Sequence, residues 1–232
     1  MSTLMLTQAS MLSTILEPVC RPGKLVIAGS IRRRKPDPGD IELVAYPLIN
    51  STIKHDLFGN AVDTTNYNAF DEMCEKLLEE GILTKRPNKH GRFTWGQGVK
   101  YALYGETKVD LFSCIPPSSW GATLAIRTGP GDFNKLLVTA AKWDGACPRN
   151  RKVAGGRVWN LDSALNMEAN YDFARMSSTQ FLKVAEGYID TVPTETEEEF
   201  FAALGTPCWD PWDRTVERLT EFLRQKRGKN TQ

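Results

Sequence analysis

In the run Gly39-Asp40-Ile41-Glu42-Leu43-Val44-Ala45-Tyr46, two carboxylates flank a single isoleucine at the head of an otherwise apolar stretch. Alternate residues of a strand point to the same face, so Asp40 and Glu42 project together while Ile41 enters a core. Two carboxylates on one face can hold a divalent cation. A third acid, Asp110, sits between Val109 and Leu111 in a later apolar run and could lie beside them, completing a site for two hard metal ions. Upstream, Lys24-Leu25-Val26-Ile27-Ala28 reads as a strand that stops at Gly29-Ser30 and is followed by Arg32-Arg33-Arg34. Backbone N–H groups, the Ser30 hydroxyl and a nearby arginine at such a strand end can bind phosphate oxygens. Metal, phosphate and carboxylate chemistry then meet at one end of a sheet.

The rest of the chain narrows that chemistry. The two histidines, and five cysteines with no Cys-x-x-Cys pair, fit neither a histidine metal site, a structural zinc site nor a disulfide framework. Any metal is therefore expected to be a hard cation on oxygen ligands. With 232 residues, 41% hydrophobic and 25% charged, the chain can form one or two globular domains. Its formal charge of +1 means that attraction to an anionic partner depends on where charges are placed, not on their sum. No apolar run is long enough for a membrane span and no basic stretch precedes the apolar start, so a soluble intracellular protein of cytoplasm or nucleoid, without a membrane partner, is expected.

Periodicity predicts a helix over 4–18 ended by Pro18, strands at 24–28 and 41–46, and an amphipathic helix over 67–83 carrying Phe70, Met73, Leu77, Leu78 and Ile82 on one stripe. Short strands are expected at 93–95, 99–104 and 108–112, and helices at 133–143, 197–204 and 214–227, with a less regular stretch between the first two of these helices. Basic residues cluster at Lys85, Arg86, Lys89 and Arg92, at Arg149, Arg151, Lys152 and Arg157, and in a basic tail at Arg224, Lys226, Arg227 and Lys229. Such segregation suits phosphate contacts in a chain of near-zero net charge. Trp143, Trp159, Trp209 and Trp212 are read as packing residues, and the cysteines as small buried ones.

Together these motifs resemble the nucleotidyltransferase superfamily, and specifically the family X DNA polymerases related to polymerase beta. Gly29-Ser30-Ile31-Arg32-Arg33 followed by Gly39-Asp40-Ile41-Glu42 is similar to the family's GS-x-R-R…GD-x-D motif, with Glu42 where Asp is commoner. Lys108-Val109-Asp110 resembles its third-acid strand. Arg127-Thr128-Gly129-Pro130-Gly131-Asp132-Phe133-Asn134-Lys135 resembles the stretch joining palm to thumb, and a weaker likeness runs from Thr194 to Arg214.

The resemblance implies an α+β protein: a nucleotidyltransferase-type mixed-sheet palm with helices over 1–116, followed by a smaller α/β thumb over 117–232. It implies a DNA-directed DNA polymerase adding dNTPs to a primer 3′-hydroxyl, filling short gaps in repair, as a monomer on primer-template or gapped DNA. Asp40, Glu42 and Asp110 would be catalytic and bind two Mg²⁺ ions, or Mn²⁺. Gly29, Ser30, Arg33, Gly39, Arg127, Thr128, Gly129, Asn134 and Lys135 would bind the nucleotide, and Lys85, Arg86, Lys89, Arg92 and Lys108 the DNA. A cis Gly129–Pro130 bond is expected. The lyase domain and DNA clamp of larger members are not expected, and with them no lyase activity. Arg127 stands where larger members carry an aromatic residue, and Val138 where polymerase beta has an arginine. The alternatives are another nucleotidyltransferase, template-independent or acting on RNA, a small molecule or a protein, and an inert DNA-end-binding module.

Overall fold

A computed structural model describes residues 3–58, 60–164 and 172–229. The chain forms two compact units: residues up to Ile31 with Lys35–Ile115, and Arg32–Arg34 with the residues from Pro116 onward. Both mix helices and strands, an arrangement compatible with a nucleotidyltransferase-like fold.

In the first unit, α1 (Thr3–Leu16) buries Ala9, Leu12 and Leu16, and gives way to a 3-10 turn at Glu17–Val19 that contains Pro18. Strand β1 (Cys20–Ile27) leads into α2, a single turn at Gly29–Arg32, and then β2 (Ile41–Pro47). A hairpin of β3 (Ile49–His55) and β4 (Ala61–Asn68) follows, then α3 (Ala69–Glu79), β5 (Leu83–Lys85), β6 (Val99–Tyr104) and β7 (Thr107–Ser113). The main sheet has the order β1-β2-β7-β6-β5, with β2 and β7 parallel and the other neighbours antiparallel. Ile41, Leu43 and Ala45 of β2 and Val109 and Leu111 of β7 join Leu12 and Leu16 of α1 and Phe70, Cys74 and Leu77 of α3 in one core. Because strand side chains alternate, Glu42 and Asp110 fall on the sheet face opposite this core.

Two expectations for this unit need correction. Helix α3 begins at Ala69, not at Tyr67, because the Asn68 side-chain oxygen accepts the N–H groups of Phe70 at 3.0 Å and Asp71 at 3.2 Å and so caps it, leaving Tyr67 in β4. Phe93–Trp95 forms only isolated bridges, Phe93 to Pro87 and Trp95 to Lys100, between the flanking glycines at 91, 96 and 98.

The second unit contains α4 (Trp120–Thr128), α5 (Gly131–Val138), β8 (Arg151–Ala154), β9 (Arg157–Asn160), α6 (Ser178–Ala185), β10 (Thr191–Val192), α7 (Glu197–Ala203) and α8 (Val216–Lys229). The three strands pair antiparallel in the order β10-β9-β8. Phe133, Leu137, Phe200, Phe201, Leu204 and Leu219 are fully buried in one core, and Trp159 and Phe181 meet edge to face in another. A Thr196–Glu199 capping box starts α7. Gly129–Pro130 is cis, as expected, and so is Pro116–Pro117.

The helix expected over 133–143 stops at Val138. Thr139 turns to extended geometry (φ −68°, ψ 137°), and a separate 3-10 turn covers Ala141–Trp143. Trp143 and Trp212 are 46% and 43% exposed, so they are not the packing residues that sequence suggested, whereas Trp159 is. Among the described residues all five cysteines are free thiols, four of them buried, and burial pushes Cys20 and Cys74 up to about 12. Among the described residues no helix is long and apolar enough to cross a membrane.

Candidate active site

The sheet register aligns the acids of the first unit. Glu42 and Asp110 are direct partners across the parallel β2–β7 pair, which puts their backbones roughly 4.8 Å apart. Asp40 lies one residue before β2, and both Asp40 and Asp110 open onto a cleft of about 610 Å³. Arg86, Lys89, His90, Tyr101 and Lys108 also line it, so two carboxylates face a wall rich in cations. Of the cleft's lining, Asn88, His90 and Tyr101 were not singled out from sequence. Asn88 organises the loop: its side-chain oxygen accepts from the N–H groups of His90 at 2.8 Å and Arg92 at 3.2 Å.

Arg86 is anchored on three sides. Its Nε donates to the Ala102 carbonyl at 3.1 Å, one Nη to the Pro87 carbonyl at 3.2 Å, and the other to Asp110 Oδ1. Arg86 and Asp110 are each only 14% exposed. Lys85, Lys89, Arg92 and Lys108 remain exposed around this pair.

Gly29 and Glu42 pack against one another. Gly29 has φ +59°, and a Cβ built there would lie 1.5 Å from Glu42 Oε2. The Lys35 N–H donates to the Ser30 carbonyl at 3.0 Å and closes the turn. Ser30 Oγ is buried there without a hydrogen-bond partner among the described residues, an arrangement that ordinarily signals a missing acceptor or donor. Gly39 is exposed at the entry to β2. We expect Gly29→Ala to destabilise the first unit by about 2 kcal/mol or more, combining left-handed backbone strain with displacement of the Glu42 carboxylate. Urea unfolding of Gly29→Ala and of Gly29→Ala/Glu42→Ala checks this, because the second variant should retain only the backbone part.

The remaining sequence candidates lie in the second unit. Arg33 donates to the Thr128 carbonyl, and Arg32 Nη1 donates to Thr128 Oγ1 at 2.6 Å. Gly129 has φ +70°, and a Cβ there would sit 3.0 Å from Arg33 Nη1. Asn134 donates its amide to the Ile126 carbonyl at 2.7 Å, while Lys135 is exposed and Arg127 half-buried. Sequence reading missed the group that fixes Arg32: Glu197, 9% exposed, takes Arg32 at 2.5 and 3.0 Å and Arg214 at 2.8 Å. Burial pushes the Glu197 carboxyl up, but hydrogen bonds from Arg32 and Arg214 outweigh it and hold the group below the usual glutamate range.

For a metal, the donor set is of the right chemistry: Asp40 and Asp110 share a cleft, and Glu42 is Asp110's register partner. Among the described residues no three acidic, histidine or cysteine side chains converge into a closed ligand group.

No protein-family model matches this chain. The chain is 25% identical over 203 residues to DNA polymerase lambda of Rattus norvegicus, covering 83% of this chain and 29% of that polymerase's length. That likeness supports a distant relationship to the family X polymerases.

Proposed function

We propose that this protein is a DNA-directed DNA polymerase of the family X type, with the first unit as palm and the second as thumb, adding dNTPs to a primer 3′-hydroxyl in short-gap filling. The observation that carries this reading is the cleft that Asp40 and Asp110 share at one end of the mixed sheet, with Glu42 in register beside Asp110. The unpartnered Ser30 hydroxyl beside Gly29 supports it, because the turn offers a donor suited to a phosphate oxygen. Asp40, Glu42 and Asp110 would hold two Mg²⁺ or Mn²⁺ ions, which when bound stabilise charge on the attacking and leaving oxygens.

The chain's own residues do the rest. Ser30, Arg33 and the Gly29 and Gly39 backbones hold the triphosphate. Thr128, Gly129 and Arg127 bound the sugar, and Asn134 and Lys135 face the base pair. Arg86 fixes the Asp110 carboxylate, and Lys85, Lys89, Arg92 and Lys108 take DNA phosphates. The primer 3′-hydroxyl gives up its proton to solvent as its oxygen bonds the α-phosphorus, and the α–β phosphoanhydride bond breaks to release pyrophosphate in line.

Extension of a labelled primer across a one-nucleotide gap, with Mg²⁺ and each dNTP singly, tests this. Template-matched addition is the expected result. Addition regardless of template would replace the reading with a terminal transferase, and no addition to DNA or RNA ends would reject nucleotidyl transfer to nucleic acid.

A further inference from the structure

A second cleft lies wholly within the second unit. It has a volume of about 790 Å³ and runs from the carboxyl end of α5 to β8 and the segment around Asp172. Four cations line it, Lys142, Arg149, Arg151 and Lys152, against two acids, Asp162 and Asp172. The acids are already engaged. Asp172 accepts Lys142 at 2.7 and 3.0 Å and also pairs with Arg175 at 3.3 Å, and Asp162 lies 3.6 Å from Arg151.

Lys152 and Arg149 are left with no carboxylate partner among the described residues. Lys152 donates to the Met176 carbonyl at 3.0 Å and stands 5.3 Å from the Phe181 ring centre, so its ammonium is partly dehydrated, with Asp172 acting on it only through space. Burial lowers its affinity for a proton. Such a group gains most from an anion that reaches it.

The cleft's other chemistry is flat and apolar. The Trp143 ring is 46% exposed, with Lys142 Nζ 4.7 Å from its centre, and Val138, Leu161 and Phe173 supply apolar lining. An aromatic platform beside unpaired cations matches a planar base joined to a phosphate, and the volume is of the size that holds one nucleotide-sized ligand. We propose that this cleft is a binding site for a phosphorylated nucleoside, the base on Trp143 and the phosphate at Arg149 and Lys152. Its ligand is either a free nucleotide or the terminal nucleotide of a single strand. The site is independent of the transfer chemistry proposed for the first unit.

The test uses the full chain in EDTA, so that metal-dependent binding at the carboxylates is silent, and follows fluorescence anisotropy of a 3′-labelled octathymidylate bearing a 5′-phosphate. Binding is expected, at least about tenfold tighter than for the 5′-hydroxyl form if the strand end is the ligand. If unlabelled dTMP competes as well as the phosphorylated oligonucleotide, the ligand is the free nucleotide. Arg149→Glu/Lys152→Met should weaken binding at least about tenfold and Trp143→Ala several-fold, while Asp40→Asn leaves it unchanged. Arg149→Glu alone alters an exposed side chain and carries the test if the double variant unfolds. Undiminished binding in these variants, no binding of either nucleotide form, or tighter competition by an acidic phosphopeptide than by any nucleotide overturns the proposal.

Discussion

Asp110→Asn should lower gap-filling extension by about a thousandfold or more and cost less stability than Asp110→Ala. The amide keeps an oxygen to accept from Arg86, so that hydrogen bond stands, but the negative charge is gone from the cleft and from the pair. Asp110→Ala should differ in stability rather than in activity. It leaves the Arg86 guanidinium, 14% exposed, with the Ala102 and Pro87 carbonyls and the Tyr101 ring but no carboxylate among the described residues. Stranding a largely buried charge costs about 3–5 kcal/mol. Primer extension read beside urea unfolding separates the two effects. Full activity in the Asn variant would remove Asp110 from catalysis, and equal stability of the Asn and Ala variants would show that Arg86 does not depend on the pair.

Glu197→Gln should destabilise the second unit by about 3–5 kcal/mol. One carboxylate there neutralises two guanidiniums, Arg32 and the 2%-exposed Arg214. An amide oxygen could still accept from both arginines, but it would neutralise neither, and the amide NH2 would replace the oxygen that now takes Arg32 Nη2. The pH dependence follows from the sign of the shift. A carboxyl whose folded-state affinity for protons is depressed contributes its full stability above the unfolded glutamate pKa of about 4.3, and loses it as pH falls through the lower folded value. The parent and Glu197→Gln unfolding curves should therefore be far apart at pH 7 and converge below about pH 4. Parallel curves at all pH values would mean that the charge of Glu197 contributes nothing.

The same triad explains why Arg32–Arg34 group with residues far along the chain. Arg32 is held by Glu197, Arg33 by the Thr128 carbonyl, and Arg34 stacks 3.5 Å from the centre of the Trp212 ring. Sequence reading gave Glu197 a place at the start of a helix and within the weaker Thr194–Arg214 likeness but no partner, because nothing local marks a carboxylate that will be matched 165 residues away.

Local pattern was enough for the elements with strong periodicity or strong punctuation. The strand alternation after Ile41 put Ile41, Leu43 and Ala45 in the core, the stripe in α3 was legible from Phe70 to Leu77, and Pro18 lies where α1 gives way to a 3-10 turn. Weakly apolar or very short elements were not legible. The β3–β4 hairpin was missed because its faces are largely exposed and carry no core signal, and β8, β9 and β10 because strands of two to four residues leave too few alternations to read. By itself the sequence determined which residue types could serve phosphate and cation chemistry, and that Glu42 lies on the face opposite Ile41 and Leu43, since backbone geometry alone sets that alternation within β2; Asp40 precedes the strand, so the alternation expected for it does not apply. Only the tertiary structure decided that Glu42 and Asp110 are neighbours, that Arg86 is bound to Asp110, and that Arg149 and Lys152 share a cleft with Trp143. Those are pairings between distant segments, and they depend on strand register and on which buried charges find partners, neither of which is written in any local stretch of residues.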